Sequence, residues 1–323
     1  MSIDNNMEVS LQSRSALPDI LYQRPRLLIS YLQNFVFNCL SPEADNFVRA
    51  TLIVFLIVVL ATASATSGPF EDADAVYGTS DYWVRIQRLF PNGVSDAQHR
   101  FITEAQYRLG MHYYFGKGVP QNYEEATKWF RLAADQGLDR AQFELGTAYE
   151  DGRGVPQSYV DAEKWFRLAA GQDLDVAQAA LGLIYSSGRG VPQNYGEAAK
   201  WYRLAADHGL ARAEFALGTL YHLGHGVPQN YLEAAKWYRR AAEQGFASAQ
   251  YNLGSVYYLG LGVPKELVSA QMYFYLAAAR GHEEARKVRD DLEKQMTPDQ
   301  IREARKLADE WRPKSSTHGQ GVQ

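Results

Sequence analysis

Ala177-Gln-Ala-Ala-Leu-Gly-Leu-Ile-Tyr-Ser-Ser-Gly-Arg-Gly-Val-Pro-Gln-Asn-Tyr-Gly-Glu-Ala-Ala-Lys-Trp-Tyr-Arg-Leu-Ala-Ala-Asp-His-Gly209 is one copy of a unit that recurs every 36 residues. Working outward from it, the same slots refill in both directions. Ala177 aligns with Ala105, Ala141, Ala213 and Ala249, and Gly182 with Gly110, Gly146, Gly218 and Gly254. Tyr185 aligns with Tyr113, Tyr149, Tyr221 and Tyr257, and Pro192 with Pro120, Pro156, Pro228 and Pro264. A fixed period of this size marks a solenoid, in which each supersecondary unit buries its apolar face against its neighbours. The expected fold class is all-α, an α/α solenoid of about five helix-turn-helix repeats. Such a chain works by offering an extended surface, which argues against a pocket enzyme.

Within a unit, Ala141, Leu145, Ala148 and Tyr149 fall at i, i+4, i+7 and i+8, one face of a first helix, helix A. Gly146 on that face lets a neighbour approach closely. Helix A is expected to stop at Gly152-Arg-Gly154, with Val155-Pro156 carrying the chain onward. Ala162, Trp165, Phe166 and Ala169 then mark the inward face of helix B, which ends at Gly137, Gly209, Gly245 or Gly281 in most copies. Asp173 stands at that slot in the second copy, so its turn is expected to be strained or rebuilt around Gly171. The column Trp129, Trp165, Trp201, Trp237 closes on Tyr273 and is read as structural; Trp201→Ala is expected to loosen the array.

The 323 residues would suit two ordinary domains, but a repeat array escapes that rule, and one continuous array is the better count. A net charge of -4 with interspersed signs supplies no basic face, so nucleic acid is set aside as a partner. The only cysteine, Cys39, lies upstream of the repeats, which leaves the array without a disulfide or thiolate metal site. His222 and His225 give a metal-like spacing, yet the turn at Gly224 and Gly226 separates them and no carboxylate cluster completes a site. Phosphate loops, nucleophile elbows and metal signatures are missing too, so no catalytic, cofactor or metal residues are assigned.

Arg49 precedes an apolar run, Thr51–Leu60, and a small-residue stretch, Ala61–Gly68. That order is the anatomy of a secretory signal, and the run falls short of the ~20 residues a membrane span needs. Four arginines lie upstream (Arg14, Arg24, Arg26, Arg49) and the next follows at Arg85, an asymmetry that sends the repeats out of the cytoplasm. The organisation expected is a leader at 1–68 with signal core 49–65, degenerate opening helices at 69–104 and five repeats at 105–284. Capping helices at 285–312 and a polar, disordered tail at 313–323 complete it. Two accounts of residues 1–47 stand open, an extension that leaves a signal anchor or a start codon placed too early. At the other end, Thr297-Pro-Asp-Gln300 is a capping box, and Ile301, Ala304, Leu307, Ala308 and Trp311 make one apolar stripe for a final covering helix.

The pattern Ala-x3-Leu-Gly-x2-Tyr-x2-Gly-x-Gly-Val-Pro, then Tyr-x2-Ala-x2-Trp-x3-Ala-Ala-x2-Gly, resembles the Sel-one-like repeat (SLR) family, a relative of the tetratricopeptide repeats, across residues 105–284. The resemblance implies a right-handed α/α superhelix and an adaptor or scaffold role, common in secreted or envelope proteins of bacteria. Some members are disulfide-stapled and have been linked to β-lactams; this chain lacks the paired cysteines, and that activity is not carried over.

Stepping 100° per residue from Leu109, the variable columns land opposite the buried face of helix A. They read Tyr107, Met111 and Tyr114; Phe143, Thr147 and Glu150; Ala179, Leu183 and Ser186; Phe215, Thr219 and His222; and Tyr251, Ser255 and Tyr258. If helix A lines a concave surface, as in tetratricopeptide relatives, these residues form a peptide groove with aromatic anchors. The competing account packs the aromatics against adjacent repeats. Lys128, Lys164, Lys200 and Lys236 with Arg131, Arg167, Arg203 and Arg239 form a basic stripe on helix B. An acid three residues before each Lys makes a solvated face the better reading, with an anionic surface as the alternative.

The functional expectation is an exported, non-enzymatic scaffold, periplasmic or secreted, that binds a protein or peptide and uses no cofactor. Two alternatives stand beside it: an enzyme acting on cell-wall or β-lactam-like substrates, and an adaptor tethered to the inner membrane by an uncleaved leader.

Overall fold

The computed structural model describes residues 96–314. The leader, most of the expected opening segment and the residues after Lys314 lie outside this range. Twelve α-helices and no strand occur among the described residues. The chain divides at Gln136/Gly137 into two units, each built on the same plan.

The first unit contains α1 (Asp96–Phe115) packed on α2 (Tyr123–Asp135). The second contains four helix pairs, α3 (Asp139–Asp151) with α4 (Tyr159–Ala170), α5 (Asp175–Ser187) with α6 (Tyr195–Asp207), α7 (Ala211–Leu223) with α8 (Tyr231–Glu243), and α9 (Ala247–Leu259) with α10 (Leu267–Ala279). Within this unit each helix packs on its partner and on the helix that follows, which is the stacking of a solenoid. Two further helices, α11 (Glu283–Glu293) and α12 (Pro298–Glu310), both pack on α10.

The pairing follows from three columns. Leu145, Leu181, Leu217 and Leu253 are fully buried, each burial contributing about 1.5–3 kcal/mol. Beside them the glycine column receives an aromatic ring from helix B. A methyl group added at Gly182 would lie 2.5 Å from the Tyr202 ring, and one at Gly146, Gly218 or Gly254 would lie 2.7, 2.8 or 2.8 Å from the ring of Phe166, Tyr238 or Phe274. The close approach expected at this column is therefore ring on backbone. The tryptophans stand one residue earlier and face elsewhere, because adjacent helical positions point 100° apart. Trp201 of α6 packs into the cluster formed by α4 and α5, and Trp237 of α8 into that of α6 and α7. Tryptophan thus joins consecutive pairs, while the aromatic after it closes each pair.

Two polar devices hold the connections. Helix B is capped by Asn122, Ser158, Asn194 or Asn230, whose side chains accept backbone N–H groups of the first turn. The glutamine after each proline then closes the loop: Gln157 Nε2 donates to the Glu150 carbonyl at 2.8 Å and to the Tyr159 hydroxyl at 3.2 Å, and Gln193 and Gln229 repeat the clamp. In the second copy Asp173 itself takes the left-handed conformation, at φ 63, while Gly171 stays right-handed at φ -67. The turn is kept with a strained residue, and α4 is one residue shorter than α6.

A buried ladder also links the pairs. Gln172 donates to Gln142 at 2.9 Å across it. In the fourth copy Glu214, 1% exposed, replaces the glutamine and receives Gln244 at 2.8 Å. Arg240, which stands where α4 and α6 carry Leu168 and Leu204, reaches the same carboxylate at 2.8 Å. Burial pushes the Glu214 carboxyl up, and Arg240 opposes it. These two departures from the repeat are one coupled change, since a buried carboxylate needs a partner.

The C-terminal helices follow the stripe read from the sequence at Ile301, which packs with Phe274 and Leu292, and at fully buried Ala304. Thr297 and Gln300 form the capping box. Leu307 departs from the stripe, being 38% exposed. The Trp311 ring is covered by the Arg280 guanidinium at 4.6 Å, and Lys314 N–H donates to the Glu243 carbonyl at 2.8 Å.

Candidate functional site

The variable columns occupy one face of the first helix of each pair, and the two units present them separately. In the first unit Tyr107, Met111 and Tyr114 are half-buried on α1, with Tyr107 and Tyr114 against the Phe130 ring at 6.0 and 6.3 Å.

In the second unit, Phe143 lies against Phe166 at 5.5 Å, Phe215 against Tyr238 at 5.8 Å and Tyr251 against Phe274 at 5.8 Å. Each of these rings thus meets an aromatic ring from the second helix of its own pair. Phe215 also meets Phe246, and Tyr251 stacks on His282 at 4.6 Å. None of the three is fully buried. The middle column is small and internally satisfied: Thr147, Thr219 and Ser255 each donate to the carbonyl four residues earlier. Leu183 breaks this pattern. It is 47% exposed on α5, between a buried Ala179 and the small Ser186.

The third column changes character along the unit. Glu150 is half-buried on α3, and burial together with Asp151 pushes its carboxyl up while Arg189 opposes the shift. His222 meets Tyr231 edge to face at 5.2 Å and Tyr238 at a tilt, and its Nδ1 is buried without a hydrogen-bond partner. Tyr258 donates to Gln295 and carries Lys265 over its ring at 5.1 Å.

One residue of this face was not singled out by the sequence. Glu144 sits one helical turn from Thr147, and burial raises its pKa to about 6. Its carboxyl makes no hydrogen bond or ion pair among the described residues, which leaves desolvation uncompensated. Because the folded-state value is raised, the associated stability is present below about pH 4.5 and is lost as pH rises through about 6. Glu144→Gln is expected to raise stability at pH 7.5 by about 1–2 kcal/mol and to leave it unchanged at pH 4, as read by urea unfolding at the two pH values.

His225 does not join His222. It lies over the Tyr195 ring at 4.7 Å, and no group of three or more metal-ligating side chains occurs among the described residues. The basic stripe resolves into two sets of contacts. Lys164, Lys200 and Lys236 pair with the acid three residues earlier at 2.9, 2.6 and 2.6 Å, exposed pairs worth a few tenths of a kcal/mol each. Arg167, Arg203 and Arg239 instead donate to Tyr185, Tyr221 and Tyr257 of the next helix. No described helix is long and apolar enough to cross a membrane, and Thr51–Leu60 lies outside the described residues.

Five consecutive stretches, residues 103–138, 139–174, 175–210, 211–246 and 247–282, match the Sel1 repeat. Among solved structures the chain is similar to a Sel1 repeat protein from Oxalobacter formigenes at 32% identity, over 70% of this chain and 93% of that one, with a TM-score of 0.57. It is also similar to a protective antigen of uropathogenic Escherichia coli strains that displays an SLR fold. There the identity is 30%, the match covers 87% of this chain and 56% of that one, and the TM-score is 0.62. No curated protein matches the chain.

Proposed function

Because the chain belongs to the Sel1 repeat family, whose proteins generally mediate protein–protein interaction, we propose that it is an exported, non-enzymatic scaffold that captures a protein or peptide on the variable face of α3, α5, α7 and α9. The observation that carries this reading is Leu183. A leucine 47% exposed on an otherwise tightly packed helix does nothing for the stack, and an exposed apolar side chain flanked by small residues is a seat for a partner's side chain. Phe143, Phe215 and Tyr251 add half-buried aromatic surface already fixed by their ring contacts, so little entropy is lost on binding. Tyr107, Met111 and Tyr114 offer a similar patch on the first unit. Export is proposed from Arg49, the apolar run and the small residues that follow it, and no role is assigned to an enzyme site.

The test is a matched pair of substitutions. Leu183→Asp is expected to weaken partner capture about tenfold or more with the melting temperature unchanged. Leu204→Asp, on the second helix of the same pair and 45% exposed, is expected to leave capture unchanged. Equal effects of the two would refute the assignment of the binding face.

A further inference from the structure

The helix α11 keeps the register of a first helix and abandons its chemistry. Ala285 falls in the alanine column and is fully buried. Thirty-six residues beyond Leu253, however, stands Arg289; beyond Gln250 stands Arg286, and beyond Gly254 stands Asp290. An aspartate in the glycine column leaves no bed for an aromatic ring, so a regular second helix has no place to dock. Instead α11 and α12 both pack on α10, and a cavity of about 400 Å³ remains among the three.

This cavity is lined by Arg286 and Arg289 from α11, Arg305 from α12, the Tyr275 side chain, and an apolar wall that includes Leu276 and Ala308. Asp309 is the one carboxylate of the lining. The arginines are held in place. Arg305 Nε donates to the Tyr275 hydroxyl at 2.6 Å and its Nη2 to Glu293 at 3.0 Å, while Arg289 Nε donates to Asp290 at 2.8 Å. The guanidinium groups of Arg289 and Arg305 both lie over the Tyr275 ring, at 5.6 and 5.5 Å. Tyr275 stands where Arg167, Arg203 and Arg239 stand in the upstream copies, so the exchange is particular to this end of the array.

We infer that this cavity is a binding site for a carboxylate carrying a compact apolar body. Each guanidinium has five N–H donors in a planar fork that matches a carboxylate, and the contacts named above occupy only part of them. Each arginine is paired with one acid, Glu283, Asp290 or Glu293, so it is the unused guanidinium N–H donors turned to the cavity, rather than net charge, that suit an anion. The flanking Asp290 and Glu293 temper the field, which suits a single negative charge better than a phosphate dianion. The volume is in the range of small-ligand sites, and the apolar wall gives the body of the ligand a surface to cover. The ligand is a free organic acid or the C-terminal residue of a peptide, which share this chemistry.

The experiment titrates the full chain with N-acetylphenylalanine, its neutral amide, and a tripeptide ending in phenylalanine with a free C-terminus, by calorimetry. Saturable binding of either acid, weakened at least tenfold in Arg286→Gln and abolished for the amide, is the expected result. Tighter binding of the tripeptide assigns the site to a peptide end, and tighter binding of the single residue assigns it to a free acid. Arg286 is exposed and makes one surface pair, with Glu283 at 3.2 Å, so its replacement leaves the fold intact. No saturable binding of either acid, equal binding of the amide, or an unaffected Arg286→Gln variant would each overturn the inference. A failure here leaves the variable face of the first helices untouched, since the two sites share no residue.

Discussion

Gly226→Ala is expected to cost about 3 kcal/mol or more, the larger part from steric collision and the rest from backbone strain. Gly226 has φ +68, and a methyl group there would lie 2.2 Å from the Tyr195 carbonyl carbon and 2.4 Å from the Gly196 nitrogen. Those atoms belong to the first turn of α6, so the loop between α7 and α8 rests directly on the backbone of the preceding pair. No rotamer can relieve a clash with backbone. Gly209→Ala supplies the comparison: it has φ +88 with nothing within 4 Å, and is expected to cost only about 1–2 kcal/mol. Urea unfolding of the two variants checks the claim. Equal losses would mean that the loops do not bear on the neighbouring pair.

Trp237→Ala is expected to cost about 3–5 kcal/mol. The side chain is 8% exposed and fills the cluster formed by α6 and α7. Its ring also carries the Arg240 guanidinium at 4.6 Å, which in turn bridges buried Glu214 and the Ala206 carbonyl. Removing the ring therefore opens a cavity and loosens the partner of a buried carboxylate. Trp237→Phe is expected to recover most of the loss, because the Trp237 Nε1 has no hydrogen-bond partner to lose. Trp201→Ala, at a half-buried site, is expected to fall below Trp237→Ala. Calorimetric melting of the three variants gives the order, and a Trp201→Ala loss exceeding that of Trp237→Ala would contradict the packing described.

The helix pairs were legible in the sequence because the period, the glycines and the alanine columns carry purely local geometry. What each ring touches was less so. Tryptophan and the aromatic after it are adjacent in the chain and 100° apart on the helix, and a single sequence does not say which neighbour each one meets. Nothing in the sequence marks Gln157 and its equivalents as a clamp, because their partners, a helix-end carbonyl and a tyrosine two residues on, become close only once the turn has formed. The Glu214–Arg240 pair is not legible in the sequence, since its members lie 26 residues apart on different helices. On the variable face, the angular step from the leucine column picked positions that are at least partly exposed, such as Phe143, Leu183 and Phe215. It passed over Glu144, whose burial depends on packing around it rather than on its own periodic position.

The repeat uses its glycine, tryptophan and second aromatic columns to stack, and the variable face is the one proposed to meet a partner. Photo-crosslinking from a benzoylphenylalanine placed at position 183 or at position 204 tests this division most directly. The account predicts a specific crosslinked partner from position 183, competed by unlabelled protein, with none from position 204. Crosslinks to the same partner from position 204 alone would place binding on the second helices and contradict it.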